Sequence, residues 1–434
     1  MHVASQHDTT VLFRSSAHHD VPRVPPGIDP IAPDAPGTAG VSLASGASSG
    51  GAPAVVEDYL HKPPFAGFLP AIAGAWGRPM WAFYVNRGQL LASFGVRDKD
   101  GAFLEFYPAN RSYETVSRSG FRTFFRITGD SDGSAGGSRW QEAFVPASGA
   151  HVSQRMYVGL DHVGASEERS GLGFQIEYRG VPQESFAGIT RSLKITNHGS
   201  QHVNLEFIDG LPRVVPFGVT HEQLKMMSNT AMAWMAAEQT CHQDGPALAF
   251  FALAASVADE TEVRTISATH FSTGTLVHAG GQQHLVPIVD PREVFGADAS
   301  FRIPRVAAGS VSALGSTREL VSTQPCSMFA AEVSIEPGET VEISSLYGHA
   351  DGRTEARIAA DLFAVTERRA EWIARSEQAL SEVVGPVETR SADAAFDAYM
   401  LQTQLDNVIR GGYPWRLGGV YAYIYNRRHG DLER

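Results

Sequence analysis

What most limits the fold of this chain is the two-residue period of its apolar side chains across the middle of the sequence. Leu172, Phe174, Ile176 and Tyr178 alternate with Gly173, Gln175, Glu177 and Arg179. Successive side chains of an extended chain point to opposite faces, so this spelling makes a strand with one buried face. Val203, Leu205 and Phe207 repeat the pattern against Asn204 and Glu206. Val333 and Ile335, then Pro337 and Gly338, then Val341 and Ile343 spell two strands around a turn, which predicts a hairpin. Many short strands punctuated by Gly, Pro and Asn point to antiparallel sheets packed face to face, not to a parallel sheet wrapped in helices. The strand pattern runs from Val56 to Ala350, interrupted by a helical stretch at His221–Ala237 and a Gly/Ser loop at Gly129–Ser138.

The flanks read differently. Residues 1–55 are rich in Pro, Gly, Ala and Ser without an apolar period, and are expected to be a disordered leader. The β-sandwich domain is then expected over 56–350. Between Thr354 and Val384 the period becomes helical. Ile358, Leu362, Val365, Trp372, Leu380 and Val383 line one face and Gly385-Pro386 ends it, which predicts one linker helix within 351–387. Ser391 is a plausible cap for a further helix carrying Phe396, Met400 and Val408, stopped by Gly411, Gly412 and Pro414. Beyond it stand the aromatics Trp415, Tyr421, Tyr423 and Tyr425, then a polar cluster from Asn426 to Arg434.

Charge excludes two partner classes. With 35 basic and 47 acidic residues in 434, the chain carries a formal −12, unsuited to nucleic acid or an anionic membrane surface. No run of 18 apolar residues suggests a membrane span, and the N-terminus lacks the basic start and apolar core of a signal peptide. Cys241 and Cys326 make no disulfide framework, so a reduced, cytoplasmic location is expected. No metal site is expected: His198 and His202 sit in a turn context, and HEQLK at His221 lacks the second histidine of a zinc helix. Phosphate-loop, dinucleotide and nucleophile-elbow motifs are missing as well.

Several long stretches carry a family resemblance. They are GRPMWAFYVNRGQLLASFGVRDKDGAFLEFYPANRSYETVSRSGFRTFFRI (Gly77–Ile127), FIDGLPRVVPFGVTHEQLKMMSNTAMAWM (Phe207–Met235), PIVDPREVFG (Pro287–Gly296), LDNVIRGGYP and the terminal RRHGDLER. In this order they resemble the oligosaccharide phosphorylases of glycoside hydrolase family 94 and the related family 161, relatives of cellobiose phosphorylase, over about Pro63–Arg434. The resemblance implies a mainly β chain with a helical C-terminal part. Its parts would be a large antiparallel β-sandwich of galactose mutarotase-like type, linker helices, and at 388–434 the beginning of an incomplete (α/α)6 barrel, whose partly exposed apolar face predicts high mobility after about Gly411. It implies an inverting reaction in which a β-glucan oligosaccharide and phosphate give α-glucose 1-phosphate and a shortened glucan. Inorganic phosphate is a co-substrate, no cofactor is used, and a homodimer is expected. The family's catalytic aspartate lies deep in the barrel, so no catalytic residue is assigned and this chain alone is expected to be inactive.

Within the terminal cluster Arg428, His429 and Asp431, beside Arg427 and Glu433, are the candidate substrate-binding residues. Guanidinium forks suit phosphate and vicinal hydroxyls, and carboxylates accept from sugar hydroxyls. The same cluster also reads as an internal salt-bridge network, and the neighbouring aromatics as either sugar platforms or junction packing. Asn86-Arg87-Gly88 and Pro108-Ala109-Asn110-Arg111 read as site-rimming loops or as ordinary turns. Asp209-Gly210-Leu211-Pro212 reads as an Asx-type turn after a strand, and Glu206 and Asp209 do not read as a hydrolase pair. The competing function is a non-catalytic carbohydrate-binding or scaffolding β-sandwich.

Overall fold

The computed structural model describes residues 41–43, 54–69, 71–72, 78, 80–128, 139–146, 153–242, 245–254, 267–384, 389, 391–392, 396–397, 400–401, 415–417 and 420–423. In chain order the strands begin with β1 Val41–Leu43, β2 Ala54–Glu57, β3 Ala66–Leu69, β4 Ala71–Ile72, β5 Trp81–Val85, β6 Leu91–Gly95, β7 Arg122–Thr128 and β8 Gln141–Glu142. There follow β9 Ser153–Val158, β10 His162–Arg169, β11 Leu172–Gly180, β12 Ala187–Asn197, β13 Val203–Leu211, β14 Met235–His242 and β15 Gly245–Leu253. The last are β16 Thr269–His278, β17 Gly281–Leu285, β18 Glu319–Val321, β19 Ser327–Ile335, β20 Thr340–Ala350, β21 Trp415–Leu417 and β22 Val420–Tyr423. The α-helices are α1 Ala109–Ser119, α2 His221–Met227, α3 Pro291–Phe295, α4 Arg353–Ala364 and α5 Thr366–Val384.

The strands make an antiparallel β-sandwich. One large sheet runs β1-β2-β9-β10-β11-β12-β20-β16-β15-β14-β18, with β17 also paired to β16. Against its inner face lie the sheets β19-β13-β7-β8 and β3-β5-β6. The alternation in β11 does what its spacing requires: Leu172, Phe174, Ile176 and Tyr178 are all buried in the core between the sheets. Phe174 meets Phe125 of β7 with ring centroids 4.8 Å apart, and Phe94 of β6 meets Tyr347 of β20 at 6.1 Å. On the far side of the large sheet, Phe250, Phe271 and Leu346 pack under α4 and α5.

Several expectations change. Val333–Ile343 is not a hairpin. β19 pairs β13 in one sheet, while β20 pairs β12 and β16 in the other, so the Pro337-Gly338 turn carries the chain across the sandwich. The β12–β13 connection crosses beside it, and Asn197 joins the two crossings. Its backbone N–H donates to Glu339 O at 3.0 Å, and its Nδ2 donates to Gln201 O at 2.7 Å and Ile335 O at 2.9 Å. The leader also ends earlier than expected, because β1 and β2 pair with each other and β2 pairs β9.

The single linker helix is two helices, separated at Val365 in an extended conformation. Ala356, Ala359, Ala360 and Phe363 of α4 are buried, whereas Ile358 and Val365 are exposed. A helix lying close on a sheet buries its small side chains, which a search for large apolar residues passes over. The helical stretch from His221 to Ala237 is α2 followed by a 3-10 segment, Ser228–Trp234, and gives way to β14 at Met235. Within the region expected to open a barrel, β21 and β22 form a hairpin whose second strand pairs β4.

Asp209 sits inside β13 rather than in an Asx turn. Its carboxylate is fully buried against Arg191 of β12, Nη1 to Oδ2 at 2.5 Å, and accepts from the Thr123 hydroxyl at 2.6 Å. The other Arg191 nitrogens reach Gln89 Oε1 at 2.6 Å and the Tyr178 hydroxyl at 3.3 Å. Burial disfavours both charges and raises the Asp209 carboxyl pKa, whereas the Asp209 carboxylate pushes the Arg191 guanidinium pKa up; the short contact and the Thr123 hydroxyl donating to Asp209 favour the charged pair. Gly210, at φ +134°, leaves no room for a side chain: a Cβ there would stand 2.3 Å from Ser327 O.

Candidate functional site

The first two stretches that carry the family resemblance are far apart in sequence and meet around one cleft of about 700 Å³. All of its lining residues except Gln324 come from them. Leu104, Phe106, Val215 and Met235 are its buried apolar members. One wall is the start of α1. Pro108 precedes this helix, the Ser112 hydroxyl donates to Tyr107 O at 3.0 Å, and the Gly120 N–H closes the far end on Val116 O at 2.9 Å. The other wall is α2 and the 3-10 turn after it. Thr220 caps α2 in a reciprocal box with Gln223, and the His221 N–H is tied to Asp100 Oδ1 at 2.8 Å.

The lining is rich in neutral hydrogen-bonding groups: the carboxamides of Asn110, Asn229 and Gln324 and the hydroxyls of Ser119 and Ser228. Tyr107 stands among them. Its hydroxyl donates to Glu105, and burial together with that carboxylate holds its pKa well above the ordinary phenol value. Arg111 lies over the Tyr107 ring at 4.4 Å and Arg213 over Phe301 at 5.0 Å. Neither arginine, nor Lys225, has a carboxylate within ion-pair distance among the described residues. His221 lines the same cleft and is only 7% exposed. Burial first, then Lys225 and Lys99, lower its pKa to about 4, so it is neutral at pH 7. Its Nδ1 has no hydrogen-bond partner among the described residues.

A second cleft, of about 840 Å³, shares Tyr107, Arg111, Ser119 and Arg213 with the first and adds Arg118, Arg122 and Arg302. Its far wall is the irregular segment around 300–303, whose carbonyls need donors. Arg122 supplies them, reaching the carbonyls of Phe301 and Arg302 while its Nε and Nη2 hold the two oxygens of Glu142, each at 2.6 Å. Arg126 does the same for the next turn of chain, donating to Val306 O at 3.1 Å and Ala307 O at 2.8 Å from its pairing with Glu206.

The remaining candidates divide clearly. Arg428, His429 and Asp431 lie outside the described residues, as do Arg427, Glu433 and Tyr425. Trp415, Tyr421 and Tyr423 fall on the β21–β22 hairpin. Asn86 is a fully buried clamp, donating to Tyr59 O and Pro63 O and accepting from Phe65 N–H, while Gly88 O accepts from the Tyr59 hydroxyl. That loop is structural. Pro108–Arg111, by contrast, is the α1 entry at the cleft. Glu206 and Asp209 are each bound to their own arginine, Arg126 and Arg191, and are not a catalytic pair. Pro287–Gly296 is a capped turn: Asp290 caps α3, Pro291 follows it, and Glu293 accepts from the N–H groups of Gly315, Ser316 and Thr317. Cys241 and Cys326 are unpaired. Among the described residues no helix is long and apolar enough to cross a membrane, and no group of His, Cys, Asp or Glu side chains could hold a metal ion.

Reasoning from sequence passed over Arg213, His221 and Lys225 as ligand-facing residues. Their signal was the length of the connection from Leu211 to Met235, more than a simple link between strands needs.

No family model matches the chain, and no curated protein does. Among solved structures it is similar to a polysaccharide lyase (TM-score 0.33, 8% identity, covering 67% of this chain and 34% of the lyase). It is also similar to a galactose mutarotase-like protein from Clostridium acetobutylicum (0.32, 8%, covering 68% and 98%). A third is a protein from the human microbiome described as a kojibiose phosphorylase (0.32, 6%, covering 82% and 36%). This chain thus spans about a third of the length of the lyase and of the phosphorylase. The sandwich assignment rests on the strand pairing described above.

Proposed function

We propose that this chain contributes the strand-built domain of an inverting carbohydrate phosphorylase that converts a β-glucan oligosaccharide and phosphate to α-glucose 1-phosphate and a shortened glucan. The single observation carrying this reading is the convergence of the first two resembling stretches on one cleft lined by carboxamides, hydroxyls and a tyrosine. That set suits a pyranose, which offers hydroxyls around its rim and an apolar face. In the proposed reaction a carboxylic acid protonates the glycosidic oxygen while phosphate attacks the anomeric carbon from the opposite face, and no residue of this chain is assigned as that acid. The domain's part is to bind saccharide in the cleft.

The test is calorimetry and a coupled glucose 1-phosphate assay on the 434-residue chain with β-1,2-, β-1,3- and β-1,4-linked glucose oligosaccharides. The expected result is saturable binding of at least one linkage, weakened by Asn229→Ala, without glucose 1-phosphate release. Affinities weaker than about 10 mM for all three, roughly 3 kcal/mol of binding free energy, would overturn the saccharide site. Release of glucose 1-phosphate by this chain alone would overturn its assignment as a non-catalytic part.

A further inference from the structure

The two joined clefts differ in charge character, and that difference points to a ligand. The first is mostly neutral and hydrogen-bonding, while the second is rimmed by arginines, and Arg111 and Arg213 stand on the wall they share. In a chain of net charge −12, five of the lining cations, Arg111, Arg118, Arg213, Arg302 and Lys225, lack a carboxylate partner among the described residues. Both shared arginines stand on the wall that carries Tyr107, with Arg111 over its ring at 4.4 Å and the Tyr107 hydroxyl donating to Glu105. Arg111 lies in the first turn of α1, and the next helix supplies His221, buried to more than nine-tenths, lining the cleft with its Nδ1 unpartnered. A buried ring nitrogen without a partner costs free energy unless a ligand or water satisfies it.

We propose that the joined clefts bind an anionic saccharide. Its neutral ring lies against Tyr107 and the carboxamides, and its phosphate or carboxylate meets Arg111 and Arg213. Arg111, flattened on Tyr107, keeps its outer N–H fork for a two-oxygen acceptor, which fits phosphate ester and uronate alike, and Arg213 adds the donors it does not spend on Ala299 O. Glu105 keeps the anion away from its own side of Tyr107, so the acidic group is placed toward the second cleft. This inference takes the cleft as a saccharide site, as proposed above, and adds the charge of the ligand.

The test is calorimetry on the full chain with four probes: α-glucose 1-phosphate, a glucuronate disaccharide, a neutral glucose disaccharide and inorganic phosphate. At least one acidic sugar is expected to bind about tenfold or more tighter than the neutral sugar, with affinity falling as salt is raised. Whether the phosphate ester or the uronate is preferred identifies the acidic group. Arg213→Ala and Arg111→Gln should each remove most of that advantage, lowering acidic-sugar affinity more than neutral-sugar affinity, while Arg213→Lys should restore part of it. Both arginines are exposed, so far-UV circular dichroism of the variants should match the parent. Equal affinity for acidic and neutral sugars, or arginine variants without effect, would overturn the proposal. Inorganic phosphate binding as tightly as the sugar phosphate would overturn its saccharide part. Loss of all sugar binding in the parent would instead count against the saccharide site itself.

Discussion

The end of the large sheet beneath the α4 entry holds two histidines whose burial makes a prediction about acid. His270 of β16 is fully buried and stacks on Phe103 at 4.2 Å. His349 of β20 is 7% exposed, 4.5 Å from Phe217 and 5.2 Å from His270 between ring centroids. Burial, then Arg97, lowers the His349 pKa from 6.5 to about 4, with Asp351 opposing and Arg78 adding to the fall. His270 is pushed well below its ordinary value by burial and by His349, the Ala102 backbone offsetting this only in part. Both rings are therefore neutral at pH 7 and take up a proton more readily in the unfolded chain.

The folded protein keeps its full stability above pH 6.5, loses it progressively as pH falls, and has lost the whole increment below about pH 4. For His349 alone the loss is about 2 kcal/mol at pH 5 and about 3 kcal/mol once both states are protonated. His349→Phe keeps a ring against Phe217 and removes the titration, at an expected cost under about 1.5 kcal/mol at pH 7.5. Urea unfolding of parent and variant from pH 7.5 to 4.5 separates this group from the carboxylates, which titrate in both. The variant should gain about 2 kcal/mol on the parent between pH 7.5 and 5. Stability curves that run parallel to within about 0.5 kcal/mol over that range would refute the reasoning.

Two further outcomes follow from the core. Arg191→Met leaves the Asp209 carboxylate buried without its partner and should cost about 3–5 kcal/mol in urea unfolding, while adding Asp209→Leu should recover most of that. Asn197→Ala removes a fully buried side chain that donates twice and accepts from the Gly199 N–H at 2.9 Å, and should cost about 2–4 kcal/mol. Faster amide exchange at residues 198–202 and 336–339, with the sheet centres unchanged, would be its local signature.

The strands were legible because burial on one face imposes alternation, and β11 and β13 appear where their side chains predict them. Their partners were not. Val333–Ile335 and Val341–Ile343 present equally apolar inner faces, so spacing cannot tell a hairpin from a crossing between sheets. The choice is made by pairing with β13, β12 and β16 and by Asn197, all distant in sequence. Val365 reads as one more apolar helical position, yet it is the extended residue between two helices. The cleft was less legible still. Arg111, Arg213 and Lys225 occupy exposed positions that look like any solvated surface charge until α1 and α2 are brought face to face.

Five arginines of the sandwich, three buried and two at the cleft, differ in a way that supports the ligand proposed for the cleft. Arg122, Arg126 and Arg191 are at most 5% exposed, and each is held by a carboxylate: Glu142, Glu206 and Asp209. Removing a guanidinium from water without a counter-charge is costly, so each of these buried arginines is matched by a carboxylate. Arg111 and Arg213 are under no such requirement. Each rests on an aromatic ring at the protein surface, where contact with the ring face holds the side chain in place; Arg213 spends one long bond on Ala299 O, Nη2 to O at 3.5 Å, and keeps its other donors outward. Two of the buried arginines also anchor the segment around 300–309 that forms the far wall, so the free pair faces a wall that is itself fixed by ionic contacts. A site whose cations are positioned in advance but unneutralised gains most from a ligand that brings its own negative charge.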